Sequence, residues 1–269
     1  DVFGRIDPYF ADCIRQQRDQ SRLDLASREG KAPGGYNYPL YETGAPFIFM
    51  NAVGTHDDVI TMMHEGGHAV HSFLTHQLPI TGFKAFPSEV AELASMSMEL
   101  LTMDHWHLIY TDPEELRRAK RDQLERVLGI LPWVATVDSF QHLLYEHPEH
   151  SHAERTAAWL SCHQRFSGNV VDWSGLEEKR ARLWHKQLHI FEMPFYYIEY
   201  GIAQLGAIGV WRNYKQDKKR AVEQYTAALK LGYTRTLPEI YATAGVRFDL
   251  GAANVGELID FVRGELEGL

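Results

Sequence analysis

A chain of 269 residues, 45% hydrophobic and 23% charged, has the make-up of a globular protein able to bury a large core. Its formal net charge of −9 excludes partners that demand a basic face, nucleic acid above all, and no apolar run approaches the length of a membrane span. Cys13 and Cys162 are too few and too far apart for a disulfide framework, and free thiols without a signal-peptide pattern point to the cytoplasm. Histidine is the outlier: 14 residues direct attention to a metal site.

Most of the sequence reads as helix, with one exception in residues 30–51. Lys31-Ala32-Pro33-Gly34-Gly35 is a turn or loop, and residues 36–40 and 46–50 have the character of two short strands around Glu42-Thr43-Gly44, a small β-ribbon. Thr55-His56-Asp57-Asp58 then opens a helix, with a threonine cap and acids at the positive end of its dipole. One turn further lies His64-Glu65-Gly66-Gly67-His68. Histidines four apart share a helix face and can converge on one zinc ion, and Glu65 sits where it can take a proton from water without being a ligand. Gly66 and Gly67 each cost a helix interior about 1 kcal/mol against alanine. A compensating gain is expected there, either close backbone packing or room for a substrate.

A catalytic zinc site needs a third protein ligand. Residues 86–99 read as a second helix, and Glu89, Glu92 and Glu99 fall on roughly one of its faces. Spacing alone leaves the choice among the three open. Farther on, Asp112-Pro113-Glu114-Glu115 starts a helix whose apolar stripe, Leu116, Leu124, Val127, Leu128 and Leu131, is expected to stop at Pro132. Ser151 with Glu154, Ser174 with Glu177 and Thr236 with Glu239 have capping-box spacing, and Gly168 and Gly232 stand where helices should end. With no repeat, low-complexity segment or linker, residues 1–269 are expected to form a single domain.

His64-Glu65-Gly66-Gly67-His68-Ala69-Val70-His71, followed by Val90-Ala91-Glu92-Leu93-Ala94-Ser95, resembles the oligoendopeptidase F and thimet oligopeptidase family of zinc metallopeptidases. That family has a His-Glu-x-Gly-His-x-x-His helix and then a Glu-x-x-Ser helix whose glutamate completes the zinc site. The resemblance therefore implies one zinc per chain held by His64, His68 and Glu92, with Glu65 as general base. Glu99 matches a further family glutamate, suited to orienting a ligand histidine; His71 matches the pattern too but stays outside the metal set. The segment from Leu23 to Tyr36 is similar to the family's loop before its active-site strand. Residues 46–51 look like that strand, which implies an edge where an extended peptide could pair.

Far downstream, residues 189–200 are similar to the family's histidine-and-tyrosine segment, whose members donate hydrogen bonds to the substrate carbonyl as it becomes tetrahedral. Tyr200 is the first choice for that role, Tyr197 the second and Tyr196 the third, with His189 contacting the same oxygen or the substrate backbone. Ile198 departs from the pattern, since the oligoendopeptidase branch often has a tyrosine there. The implied fold is mainly α, a helical catalytic domain with the β-ribbon beside the zinc helix. The implied activity is hydrolysis of internal bonds in short, unstructured peptides. The family carries an N-terminal half that walls the opposite side of its channel, and this sequence, opening at Asp1, corresponds to the part after it. Two rivals remain: a non-catalytic zinc or peptide-binding module, and a zinc carboxypeptidase. The first has no need of Glu65 and the tyrosines, and the second would require a cationic pocket for which no arginine pair stands near the motifs.

Overall fold

The structure is a computed structural model that describes residues 1–168 and 170–269. In chain order its elements are α1 (Val2–Ile6), α2 (Pro8–Asp19), β1 (Leu23–Ala26), β2 (Tyr36–Tyr38), β3 (Phe47–Ala52), α3 (His56–Thr75), α4 (Thr81–Lys84) and α5 (Ser88–Met103). There follow α6 (Pro113–Glu146), α7 (His152–Phe166), α8 (Glu177–Ala181), α9 (His189–Glu192), α10 (Tyr197–Gln216), α11 (Lys218–Leu229), α12 (Leu237–Thr243) and α13 (Ala252–Glu267). They sort into two compact units, Asp1–Leu124 with Ala203–Leu269, and Glu125–Ile202. The expected mainly helical fold with a small sheet is what forms.

In the first unit the sheet has the order β1-β3-β2, with β1 parallel and β2 antiparallel to β3. Leu23 stands opposite Ile48, and Tyr36 opposite Phe49. The ribbon of residues 36–38 and 47–52 matches the sequence reading; the strand at Leu23–Ala26 does not, because that segment had the look of a loop. Two expectations change with it. β1 is only four residues long, too short for its alternation to stand out, yet Leu23 and Leu25 pack on the buried cluster of Ile48, Met50 and Ala69. And because β3 is flanked on both sides, it offers no edge for a peptide; the outer edges belong to β1 and β2. Lys31 pins the intervening loop, its Nζ lying 3.0 Å from the Asp24 carbonyl and 2.9 Å from that of Ala26.

Helix α3 begins where Asp58 Oδ2 accepts from the backbone N–H groups of Val53, Gly54 and Thr55 at 2.7–2.9 Å. Three backbone donors of the turn leading into the helix are thereby satisfied by one carboxylate, whose pKa they lower. Within the helix the two glycines have separate reasons. A Cβ on Gly67 would lie 2.7 Å from both the Ala94 carbonyl oxygen and the Ser95 Cα of α5, and one on Gly66 would collide with the Phe3 ring of α1. Close packing, not room for substrate, is what the glycines provide. Tyr225 of α11 fastens the same turn of α5 by donating to the Ala94 carbonyl at 2.7 Å.

Helix α6 does not stop at Pro132 but runs through it to Glu146. The ring removes one N–H, and Thr136 Oγ1 bonds the Pro132 carbonyl at 2.8 Å in the next turn. By length and composition this one described helix could cross a bilayer, contrary to the expectation that no apolar run would suffice. Here its apolar residues Val134, Val137 and Phe140 are instead buried in the core of the second unit, with Trp159 and Cys162 of α7, Trp184, Ile190 and Tyr197. The boxes at Ser151–Glu154 and Thr236–Glu239 form, and Gly168 and Gly232 take the left-handed backbone of helix ends. Ser174–Glu177 is not a box: Asp172 Oδ1 captures the Ser174 N–H and hydroxyl, and α8 starts later.

Two stability tests follow from this packing. Gly67→Ala is expected to lose about 1–3 kcal/mol, the usual cost of overpacking, whereas Gly129→Ala on the exposed face of α6, where a Cβ meets nothing within 4 Å, should gain about 1 kcal/mol; urea unfolding of both distinguishes the two roles. Asp58→Ala should lose about 1–2 kcal/mol by the same measurement. Since the native pKa of Asp58 is depressed, that contribution is complete above the ordinary carboxylate range and should vanish as pH falls through the native value.

Candidate active site

Among the described residues one group of donors lies close enough to share a metal ion: His64, His68 and Glu92, whose ligand atoms are all within 4.8 Å of one another. The four-residue spacing on α3 puts the two imidazoles side by side, ring centroids 4.8 Å apart and nearly perpendicular. Helix α5 supplies the carboxylate. Glu92 Oε2 is 3.3 Å from His64 Nε2 and 3.8 Å from His68 Nε2, and the Ser95 hydroxyl donates to the same oxygen at 3.1 Å. Two imidazole nitrogens and one carboxylate oxygen are a donor set that suits zinc and leaves further positions open.

Glu99, seven residues after Glu92, lies on the other side of His64. Its Oε1 is 2.7 Å from His64 Nδ1, and its Oε2 accepts from Gln123 Nε2 at 2.7 Å. The pairing makes Nδ1 the donor to Glu99 and turns Nε2 toward Glu92. Glu89 takes no part in the triad. Of the three glutamates that spacing left open, the geometry thus separates one donor to the cluster, one partner of a ligand and one bystander. His71 also stays apart, fully buried and stacked on Phe86 at 3.7 Å, its pKa pushed down to about 3 by burial.

Electrostatics at the triad favour a cation. Burial alone would lower the pKa of His64, but the hydrogen bonds it donates to Glu92 and Glu99 raise it well above the ordinary histidine value. His68, buried beside that charge, falls to about 4, and Glu92, against its own burial, is held near about 2 by His64 and His68. The field that holds a proton on His64 is the one that would hold a metal in its place, so metal uptake should release a proton.

Glu65 is adjacent in sequence to His64 but outside the triad. Burial pushes its carboxyl up to about 7, opposed in part by His64 and by the backbone of Asn37 in β2. Its Oε2 has no hydrogen-bond partner among the described residues. A cation at the triad would favour the ionised form. The backbone contact from Asn37 and the Gln123 support of Glu99 were both absent from the sequence reading. Gln123 left a faint signal, a polar residue one position before Leu124 in the apolar stripe of α6; the Asn37 amide left none, because backbone groups carry no sequence identity.

In the second unit the histidine-and-tyrosine segment forms one cluster. His189 Nε2 is 3.2 Å from the Tyr200 hydroxyl, and Gln187 Nε2 is 2.7 Å from His189 Nδ1. The His189 ring lies 5.2–5.6 Å from those of Tyr196, Tyr197 and Tyr200. Tyr197 is buried in the core, and burial raises its pKa. Tyr200 and Tyr196 are part-exposed. Gly201 admits Val134 of α6, whose Cγ1 would be 3.0 Å from an added Cβ.

Two histidines and a glutamate on paired helices, beside a buried carboxylate, form a candidate metal centre. The chain belongs to peptidase family M3, whose model matches residues 9–255. It is 24% identical over 244 residues to oligopeptidase PepF of Bacillus subtilis (strain 168), covering 88% of this chain and 35% of that protein. It is 24% identical over 263 residues to the chromosomal oligoendopeptidase F of Lactococcus lactis subsp. cremoris, covering 92% of this chain and 40% of that one. The solved structure of PZ peptidase A with an inhibitor superposes on the whole chain with a TM-score of 0.90 at 29% identity, over 47% of its own length. The chain thus spans less than half the length of these relatives.

Metal binding tests the site directly. His64→Ala, His68→Ala and Glu92→Ala should each abolish zinc binding at neutral pH, while Glu89→Ala retains it; Glu99→Ala should weaken affinity by about 10–100-fold, as loss of a ligand's hydrogen-bond partner does. Titration against a competing chelator measures all five. Full occupancy in Glu92→Ala would overturn the assignment of the third ligand.

Proposed function

We propose that this chain is the catalytic, C-terminal portion of a zinc-dependent oligoendopeptidase that cleaves internal bonds of short, unstructured peptides in the cytoplasm. The observation that carries the reading is the convergence of His64 Nε2, His68 Nε2 and Glu92 Oε2 beside the buried Glu65 carboxylate. Membership of a peptidase family and relatives named oligopeptidase and oligoendopeptidase support the substrate class. The buried free thiols of Cys13 and Cys162 agree with a reducing compartment. A chain that spans less than half of its relatives leaves room for an N-terminal half as partner in confining the peptide.

His64, His68 and Glu92 would hold one zinc. When bound, zinc supplies Lewis acidity, which brings the pKa of water to about 7 and polarises a carbonyl. Glu65 takes the proton of the attacking water at Oε2 and returns it to the leaving amine. Its burial favours this work, since a carboxylate with little water around it accepts a proton more readily than an exposed one. Tyr200 donates a hydrogen bond to the oxygen that gains charge, His189 lies against its hydroxyl, and Tyr197, buried in the core, supports them from behind. A module that merely bound zinc or peptide would have no use for a desolvated carboxylate beside the triad.

Cleavage of an internally quenched peptide tests the roles. Glu65→Gln should keep zinc and lose at least ~10²-fold in kcat; near-normal turnover would remove it from the mechanism. Tyr200→Phe should leave zinc binding and KM almost unchanged and lower kcat by about 10²–10³-fold, the signature of a donor used in the transition state. A change confined to KM would make Tyr200 an ordinary substrate contact.

A further inference from the structure

Four side chains of the second unit form a directional chain. Trp133 Nε1 donates to Gln187 Oε1 at 3.1 Å, Gln187 Nε2 is 2.7 Å from His189 Nδ1, and His189 Nε2 is 3.2 Å from the Tyr200 hydroxyl. An indole N–H can only donate, so the Gln187 atom facing Trp133 must be the carbonyl oxygen. The amide NH2 is then turned to His189, and Nδ1 must accept from it. A neutral imidazole that accepts at Nδ1 carries its proton on Nε2, where it donates to the oxygen of Tyr200. Tyr200 receives at its oxygen and directs its own proton elsewhere.

We propose that Gln187, oriented by Trp133, is a positioning residue that holds His189 in the Nε2–H tautomer and so keeps the Tyr200 hydroxyl proton turned away from His189. Nothing in the histidine-and-tyrosine pattern contains this pair: Gln187 lies two residues before His189, and Trp133 follows the proline of α6. The proposal rests on the reading of Tyr200 as a donor to the developing oxyanion. In that setting the opposite tautomer would be costly. An unprotonated Nε2 would accept the Tyr200 proton and remove it from the reaction, and a lost oxyanion donor typically costs about 10²–10³ in rate. The Lys186 ammonium, 4.6 Å above the Trp133 ring, adds a cation–π contact that steadies the indole at the head of the chain.

The tautomer can be read without reference to activity, from long-range proton–nitrogen NMR of the whole chain labelled with 15N-histidine, His189 being assigned by its loss in His189→Gln. The expected result is a pyrrole-like Nε2 and a pyridine-like Nδ1. In Gln187→Glu both facing oxygens can only accept, so Nδ1 must become pyrrole-like; in Trp133→Phe and Gln187→Leu, with the constraint gone, the two nitrogens should show averaged shifts. On the quenched peptide Gln187→Leu should lower kcat severalfold at unchanged KM, a split that loose packing alone would not produce. A pyrrole-like Nδ1 in the wild type, or an unaltered pattern in Gln187→Glu, overturns the proposal. The predicted tautomers together with an unchanged kcat in Tyr200→Phe would support the hydrogen-bond chain and overturn only the reading of Tyr200 as oxyanion donor.

Discussion

Where α3 and α5 cross, the backbone of one helix rests on the backbone of the other: Gly67 leaves no space for a Cβ against Ala94 and Ser95. The metal triad depends on this contact, because its donors come from both helices and an imidazole or a carboxylate reaches only a few ångströms from its own backbone. Gly67 lies between Glu65 and His68, and Ser95 is one turn from Glu92, so the point of closest approach is also the point where the donors meet. The helix propensity lost at Gly66 and Gly67 is offset by that approach and by the seating of Phe3 on α1. Tyr225 and Tyr241, donating to the Ala94 and Glu89 carbonyls, brace α5 from the side of α11 and α12.

His64 and His189 are oriented by polar partners in opposite senses. Glu99 can only accept, so His64 protonates Nδ1 and presents the Nε2 lone pair to a cation. Gln187 donates to His189 Nδ1, so that ring presents an Nε2–H. Each partner is itself held by a second group, Gln123 in one case and Trp133 in the other. The same imidazole becomes a Lewis base or a hydrogen-bond donor according to what stands behind it, a division that the identities of the histidines alone do not contain.

Much of the site was legible because it is local. His64, Glu65 and His68 occupy one helix face through spacing, and Glu92 and Glu99 sit on the next helix at an interval that repeats about two turns on. Spacing could not tell Glu89 from Glu92, since that choice depends on the rotation of α5 about Gly67. The helix caps at Asp58, Glu154 and Glu239 were readable for the same local reason. What escaped the sequence was set by pairing across distance: the strand at Leu23–Ala26 is defined by β3, and the passage of α6 through Pro132 by the core that surrounds Val134 and Val137. The loss of β3 as a free edge follows from the first of these, since an edge is a property of a sheet's order and not of any one strand.

The backbone link between Asn37 and Glu65 ties the buried carboxylate to the least extensive strand in the sheet. β2 is three residues long and lies at the outside of the order β1-β3-β2, so it belongs to the segments that open most readily in local fluctuations. Each opening would withdraw an amide from the Glu65 carboxylate and admit solvent to it, altering its proton affinity without moving any metal ligand. Exchange of the Asn37 amide with solvent is therefore a gauge of how often this carboxylate is found in its buried setting, and any extended segment that lay along the outer edge of β2 would lengthen the intervals between openings.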